Sequence, residues 1–140
     1  MACLLEWGIG LVLEFLNRQP VKQKMICQDD IDIMYFTQDP EDAVKHIVDF
    51  YKMYHSMRYI RDLLVLRIEE PLTDAQLDQL NEEFKHLLKK GKIAQSLKPF
   101  EEEGNVPYTF DLTRLAFHFN KDSFVELKKM IHRINEFAPK

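Results

Sequence analysis

The sequence has few of the residues from which catalytic loops and metal sites are usually built. It contains four glycines and two cysteines in 140 residues. The glycines, at positions 8, 10, 91 and 104, lack the spacing of a GxGxxG turn or a P-loop. Cys3 and Cys27 have neither CxxC spacing nor a nearby histidine pair, which favours reduced, packed thiols in a cytosolic protein. These absences exclude the common phosphate-binding loops and cysteine-based zinc sites.

The other residues that carry chemistry are scattered along the chain. The histidines lie on different predicted elements, and none belongs to an HExxH or HxxxH pair; they are His46, His55, His86, His118 and His132. No serine lies in GxSxG, and neither cysteine has a histidine or basic residue beside it. We therefore predict no catalytic residue, no cofactor-binding residue, no metal ligand and no cofactor, and we interpret the chain as a binding or structural segment rather than an enzyme.

The net charge and the hydropathy pattern limit the classes of partner that this chain is expected to bind. The net charge of −4 and the pI near 5.7 argue against a nucleic-acid binder, which needs a basic face. Leu4 to Leu16 is apolar, but Glu6 and Glu14 interrupt it and no basic residue precedes it, which fits neither a signal peptide nor a membrane span. The acidic run Glu101–Glu103 is interpreted as a solvated loop. We expect a cytoplasmic protein without nucleic-acid or membrane partners.

The first half of the chain has the pattern of an α/β unit. Ile31 to Phe36 is apolar except for Asp32, which predicts a strand buried on both faces. Asp39 is a good N-cap and Pro40 a good first helical residue. The helix that follows has one apolar stripe, formed by Val44, Ile47, Val48, Tyr51 and Tyr54. A helix over residues 4–16 is apolar on nearly every side and is predicted to be buried on more than one.

The segment Tyr54–Tyr59 is dense in aromatic and polar-headed side chains. Its favoured interpretation is a helix end along a domain junction, and the alternative is a ligand or subunit contact.

A second unit begins at Leu63. We predict a strand over Leu63–Ile68, a capping box at Thr73 and Gln76, a helix that stops at Lys89-Lys90-Gly91, a possible strand over Lys92–Leu97 and a loop over Lys98–Pro107. Leu112 to Phe119 alternates as a half-buried strand does, with Leu115, Phe117 and Phe119 on one face and Arg114, Ala116 and His118 on the other. Another capping box, Ser123 to Glu126, starts a helix whose apolar stripe is Phe124, Leu127, Ile131 and Ile134. This βαββα order predicts a ferredoxin-like unit that lacks its last strand and so leaves one sheet edge open.

The run from Met25 to Arg67 resembles the C-terminal part of Lonely Guy-type proteins, Rossmann-like enzymes often labelled as possible lysine decarboxylases. The family closes its sheet with a strand and a TDDPEEAV turn into the last helix. This chain has Thr37-Gln38-Asp39-Pro40-Glu41-Asp42-Ala43-Val44 there and departs at Gln38 and Asp42. The helix over residues 7–16 looks like the family's helix before that strand. The tail, with EEPLTDAQLDQLNEEFKHLLKKGKI and RLAFHFNKDSFVELKKMIHRIN, is similar to the extension carried by longer bacterial members.

The resemblance implies an α/β fragment over residues 1–59, the last helix-strand-helix of a Rossmann-like domain, and a small α+β domain over residues 60–140. The family cleaves the N-glycosidic bond of nucleoside 5′-monophosphates with a PGGxGTxxE loop, which this sequence lacks. We therefore expect a non-catalytic C-terminal portion of such a protein, whose partner is the missing N-terminal Rossmann portion or a second copy of itself. The alternative is a free-standing ferredoxin-like module that binds a small ligand or dimerises.

Overall fold

The computed structural model describes residues 2–26, 28–104, 107–121 and 124–139. They form a small α+β fold with a four-stranded antiparallel sheet. Two compact units, residues 1–47 and 48–140, are described separately. The elements are α1 (Ala2–Leu16), α2 (Gln28–Asp32), α3 (Pro40–Phe50), β1 (Tyr54–Ile60), β2 (Leu63–Ile68), α4 (Asp74–Glu83), β3 (Leu88–Ser96), β4 (Thr113–Phe119) and α5 (Phe124–Glu136). A π-helical turn, Asn17–Val21, continues α1, and short 3₁₀ turns occur at Lys85–Leu87, Glu101–Glu103 and Pro107–Thr109.

The strand predicted from Ile31 to Phe36 is wrong. The one-turn helix α2 covers the start of that segment, and the N–H of Met34 donates to the carbonyl of Ile31 at 2.9 Å in the turn that follows. A strand needs neighbours for its main-chain groups, and residues 2–26 and 28–47 contain no strand. Local helical hydrogen bonds take their place, which leaves Ile33 and Tyr35 41% and 48% exposed.

The helix start at Asp39 is confirmed. A carboxylate oxygen of Asp39 accepts a hydrogen bond from the N–H of Glu41 at 2.9 Å, and Pro40 opens α3. The helix ends at Phe50, so Tyr54 lies outside it. The predicted apolar stripe is exposed rather than buried: Val44, Ile47, Val48 and Tyr51 are between 55% and 63% accessible.

The interpretation of Tyr54–Tyr59 as a helix end is wrong, since these residues belong to strand β1. A two-residue turn, Arg61-Asp62, with Arg61 at φ 53°, joins β1 to β2 and sets Ile60 opposite Leu63. Asn135 of α5 fixes the beginning of the strand. Its Oδ1 accepts from the N–H groups of Met53 at 2.8 Å and Tyr54 at 3.0 Å, while its Nδ2 donates to the carbonyl of Phe50 at 2.6 Å.

The sheet order is β1-β2-β4-β3, with every neighbouring pair antiparallel. Strand β1 therefore pairs with the side of β2 that was predicted to be an open edge. The local hairpin explains this outcome, because a two-residue turn brings β1 and β2 together before any distant strand could pair.

Most of the second predicted unit is confirmed. The strand β2 has the predicted bounds, and the capping box is present, with the N–H of Gln76 donating to the Thr73 hydroxyl and the N–H of Thr73 donating to the Gln76 amide oxygen. Strand β4 shows the predicted division of faces, but it is central and buried on both faces rather than half-buried. The predicted Ser123 cap of α5 lies outside the described residues.

The predicted helix stop at Gly91 is wrong. Helix α4 ends at Glu83, and Gly91 lies within β3 at φ 75°, where the pairing with β4 is irregular between Lys90 and Ala94. Asn81 joins the two elements, because its Oδ1 accepts from the N–H of Ile93 at 2.8 Å. Glycine permits this positive φ, which here accommodates a bulge in the strand instead of ending a helix.

One face of the sheet is apolar and is covered by α4 and α5. Its strand residues include Leu64, Leu66, Ile68, Leu115, Phe117 and Phe119, and the helices contribute Leu80, Leu127, Met130, Ile131 and Ile134. All of these side chains are buried. This continuous core holds the second unit together.

Candidate functional site

The opposite face of the sheet carries a buried carboxylate between two arginines. Arg67 of β2 and Arg114 of β4 are direct cross-strand partners, a pairing of like charges that is unfavourable by itself. Glu103 lies between them and is 3% exposed. The interpretation of Glu101–Glu103 as a solvated loop is therefore wrong for Glu103. The physical reason is that the carboxylate offsets the repulsion between two neighbouring buried guanidinium groups.

Hydrogen bonds to Glu103 come from every side. Its Oε2 accepts from Nε and Nη2 of Arg67 at 2.8 and 2.6 Å, and its Oε1 accepts from Nε of Arg114 at 3.0 Å and from the N–H of Phe100 at 3.1 Å. Its backbone carbonyl accepts from Nη1 of Arg58 at 2.7 Å. Arg114 also donates to the carbonyls of Thr109, Phe110 and Leu112. The ring of Phe100 packs beside Ile60, Val65 and Ala116 on the same face.

This cluster is a structural anchor. Burial raises the pKa of Glu103, but hydrogen bonds from Arg114, from the Phe100 N–H and from Arg67 lower it by more, so the pKa of this carboxyl lies below its ordinary value. The carboxylate of Glu103 is charged and buried, and both of its oxygens accept hydrogen bonds. It holds the segment Phe100–Glu103 on the sheet and closes this face rather than offering a site to a ligand.

An open basic pocket lies at one end of the same sheet. Its volume is about 890 Å³. The β1–β2 turn, the start of β3 and the end of β4 bring its lining together: Arg61, Asp62, Leu88, Lys89, Lys90, His118, Phe119, Asn120 and Lys121. The backbone helps to fix this end, because the N–H of Asn120 donates to the carbonyl of Leu87 at 2.7 Å. We call this cavity the basic pocket.

The charges of the basic pocket are unequal. Four lysine or arginine side chains line it and one carboxylate, Asp62, faces them. Asp62 lies 3.6 Å from Nζ of Lys90 and 3.1 Å from Nδ1 of His118. Glu102, outside the lining, pairs with Arg61 at 2.8 Å. Lys121 lies over the ring of Tyr59, 4.9 Å from its centroid. The pocket therefore keeps an excess of positive charge in a chain whose net charge is negative.

This arrangement can hold an anion that carries an apolar part. Lysine and arginine donate charge-assisted hydrogen bonds to carboxylate or phosphate oxygens. Leu88, which is partly exposed, supplies apolar surface beside these donors. Small-molecule sites combine polar groups that fix orientation with apolar walls in this way.

Each of the five histidines has its own surroundings. His118 lies in the basic pocket and His86 is 3.2 Å from a Glu126 oxygen, while His46 stacks on Tyr35 with ring centroids 3.7 Å apart. His55 contacts the Ser56 hydroxyl, and His132 lies beside the ring of Phe50. Within the described part of the chain, no three His, Cys, Asp or Glu residues are grouped as a metal site requires. Cys27 and the side chain of Cys3 lie outside the described residues.

The basic pocket was missed at the level of sequence. Lys89 and Lys90 are visible as a basic pair before Gly91, but that pattern predicts a helix stop rather than a pocket. Their meeting with Arg61 and Lys121 depends on the strand order, which places the β1–β2 turn and the end of β4 at the same end of the sheet. The signal that the sequence offers for the basic pocket is the pair of lysines before Gly91.

The chain matches no family model, and neither the curated proteins nor the solved structures include one that is significantly similar to it. Among the helices described, none combines the length and the apolar character that crossing a membrane requires. The resemblance to Lonely Guy-type proteins stays a prediction.

Proposed function

We propose that this chain is a binding module that takes a small anionic ligand in the basic pocket. The observation that carries the proposal is the convergence of Arg61, Lys89, Lys90 and Lys121 from three separate parts of the sheet, in a lining that contains one carboxylate, Asp62. Such a convergence raises the local concentration of anions. The ligand that fits is a small molecule with one or more phosphate or carboxylate groups and an apolar portion.

The finer fold assignment belongs to the same proposal. From β2 onward the chain has the order strand, helix, strand, strand, helix, as a ferredoxin-like unit does before its last strand. We propose that β1 takes the place of that last strand, since it lies beside β2 at the sheet edge. The module is then a ferredoxin-like unit whose edge strand comes from its N-terminal side.

Descent from a Lonely Guy-type protein is a second proposal. The observation in its favour is the capped start of α3 at Asp39-Pro40, which the TQDPEDAV run predicts. Under this proposal the chain is a non-catalytic relative, since the family's PGGxGTxxE loop is absent from it. It predicts that the purified chain releases no free base from nucleoside 5′-monophosphates, and release of base would contradict the non-catalytic assignment.

Calorimetric titration of the full chain tests the ligand proposal. The probes are phenyl phosphate and phenylacetate, which join a phosphate and a carboxylate group, respectively, to an apolar ring. We expect at least one probe to bind and the paired substitution Lys89→Gln, Lys90→Gln to weaken it about tenfold or more, since a hydrogen bond to a charged group contributes about 1.5–3 kcal/mol. Binding must also weaken as salt is raised.

The matched control is Lys22→Gln, Lys52→Gln, which removes the same charge at two exposed lysines outside the pocket. It must leave the affinity nearly unchanged. If neither probe binds at millimolar concentration, or if the control weakens binding as much as the pocket variant does, the proposed function is wrong.

A further inference from the structure

The two outer edges of the sheet differ in how they are protected. Strand β3 forms one edge and carries Lys89, Lys90 and Lys92. Its pairing with β4 is irregular at two places, between Leu88 and Lys90 and between Lys90 and Ala94. Lysines and bulges are the devices by which natural proteins prevent edge strands from pairing with another chain. The β3 edge is therefore blocked.

Strand β1 forms the other edge and has little of this protection. Its sequence, YHSMRYI, contains no lysine, proline or acidic residue. Its arginine, Arg58, donates a hydrogen bond from its guanidinium to the carbonyl of Glu103 at 2.7 Å. One irregularity lies near its start, between Tyr54 and Ser56, and the register from Ser56 to Ile60 is continuous.

Exposed apolar side chains accompany the β1 edge. Met57 and Tyr59 are 44% and 42% exposed, although they lie opposite the fully buried Leu66 and Leu64 on the apolar face of the sheet. Just before the strand, Val48 and Tyr51 are also exposed, and the ring of Tyr51 stacks on that of Tyr54 with centroids 5.8 Å apart. The outer edge of β1, which pairs with no other strand among the described residues, adjoins this apolar surface.

We propose that β1 pairs with β1 of a second copy of the chain, antiparallel and across a two-fold axis at Met57. Met57 is the middle residue of the seven-residue strand, so this register pairs its whole length. Arg58 then faces the neutral Ser56 of the partner copy, and Tyr59 faces His55. The two sheets join into one continuous sheet of eight strands.

Charge and pairing length favour this register, and the self-complementarity of the strand favours a second copy as the occupant. A shift that moves the axis to Arg58 sets two like charges directly opposite each other, which is unfavourable. With the axis at Met57 the strand is self-complementary along its whole length, and a two-fold interface requires such self-complementarity. Since an interface built on one edge strand is small, we expect a dimer that dissociates on dilution.

Cysteine cross-linking of the full chain tests the register directly. In a Cys3→Ser, Cys27→Ser background, Met57→Cys places two thiols across the axis, where Cβ atoms of paired residues lie about 4.5–5.5 Å apart, close to disulfide geometry. Lys92→Cys on the β3 edge is the matched control. We expect rapid formation of a disulfide-linked dimer with Met57→Cys and none above background with Lys92→Cys; equal cross-linking of the two would overturn the proposal.

Light scattering over a range of protein concentrations provides the second readout. We expect Met57→Lys to raise the dimer dissociation constant at least tenfold, because it sets two ammonium groups opposite each other. Met25→Lys makes the same change at a residue that is 74% exposed outside the sheet and must leave the constant unchanged. A chain that is monomeric at hundreds of micromolar, or a Met57→Lys variant that dimerises like the parent while retaining its thermal melt, would overturn the proposal. No anion is needed here, so the result is independent of ligand binding at the basic pocket.

Discussion

The two faces of the sheet are covered through different kinds of interaction, apolar packing on one and a buried ion cluster on the other. On one face, α4 and α5 cover buried leucine, isoleucine and phenylalanine side chains. On the other, Glu103 and Phe100 cover a surface that includes Arg67 and Arg114. Apolar burial is non-directional and tolerates small rearrangements, whereas a buried ion cluster is stable only while each charge keeps its partner. The polar face is therefore the more fragile of the two and the more specific in its geometry.

The largest effect is expected from removing the central anion. Glu103→Ala leaves Arg67 and Arg114 facing each other in a buried site without a counter-charge. We expect the free energy of unfolding to fall by about 3–5 kcal/mol, as it does when one partner of a buried ion pair is removed. Urea denaturation measures this. Glu102→Ala, next to it in sequence and exposed, removes only a surface ion pair with Arg61 and should change stability by less than about 1 kcal/mol; similar losses for the two variants would contradict the comparison.

An acid titration of stability sharpens the comparison, because the polar face is closed by a buried charged group, Glu103. The folded-state pKa of Glu103 lies below its value in the unfolded chain. Its contribution is therefore fully present above the unfolded pKa, about 4.3, and is lost as the pH falls through the folded pKa. We expect the stability difference between the parent and Glu103→Gln to shrink below about pH 4.3. A difference that stays constant from pH 7 to pH 3 would show that the charge of Glu103 does not stabilise the fold.

The smallest effect is expected at a helix on the apolar side. Thr73→Ala removes the hydroxyl that accepts from the N–H of Gln76 and breaks the capping box of α4. Such a loss typically costs about 1 kcal/mol, and thermal or urea unfolding detects it. Thr73→Ser keeps the cap and should retain most of the stability. A loss above about 3 kcal/mol for Thr73→Ala would mean that this residue does more than cap a helix.

Local signals predicted the elements whose stability is local. The caps at Asp39 and Thr73 and the strand β2 could be identified because their hydrogen bonds or apolar runs lie within a few residues of each other. The alternation from Thr113 to Phe119 likewise predicted which side chains share a face.

The errors arose where distant residues decide the structure. Glu103 was predicted to be solvated because its partners, Arg67 and Arg114, become neighbours only after β2 pairs with β4. The strand predicted at Ile31 fails because an apolar run says nothing about whether neighbouring strands exist. The basic pocket shares this origin, since its lysines and arginine meet only through the strand order. Most of the candidate site was therefore beyond prediction from local patterns.

The side chain of Asn135 has a consequence for the order of folding. It supplies hydrogen bonds to the main chain of Phe50, Met53 and Tyr54, which precede it by 81 to 85 residues. During synthesis, the residues that lead into β1 lack these hydrogen-bond partners until nearly the whole second unit has left the ribosome. The β1–β2 hairpin can form early, but the chain before it is fixed only when α5 arrives. Closing so long a loop is slow compared with local hairpin formation, so we expect the docking of α5 on the start of β1 to be a late step in folding.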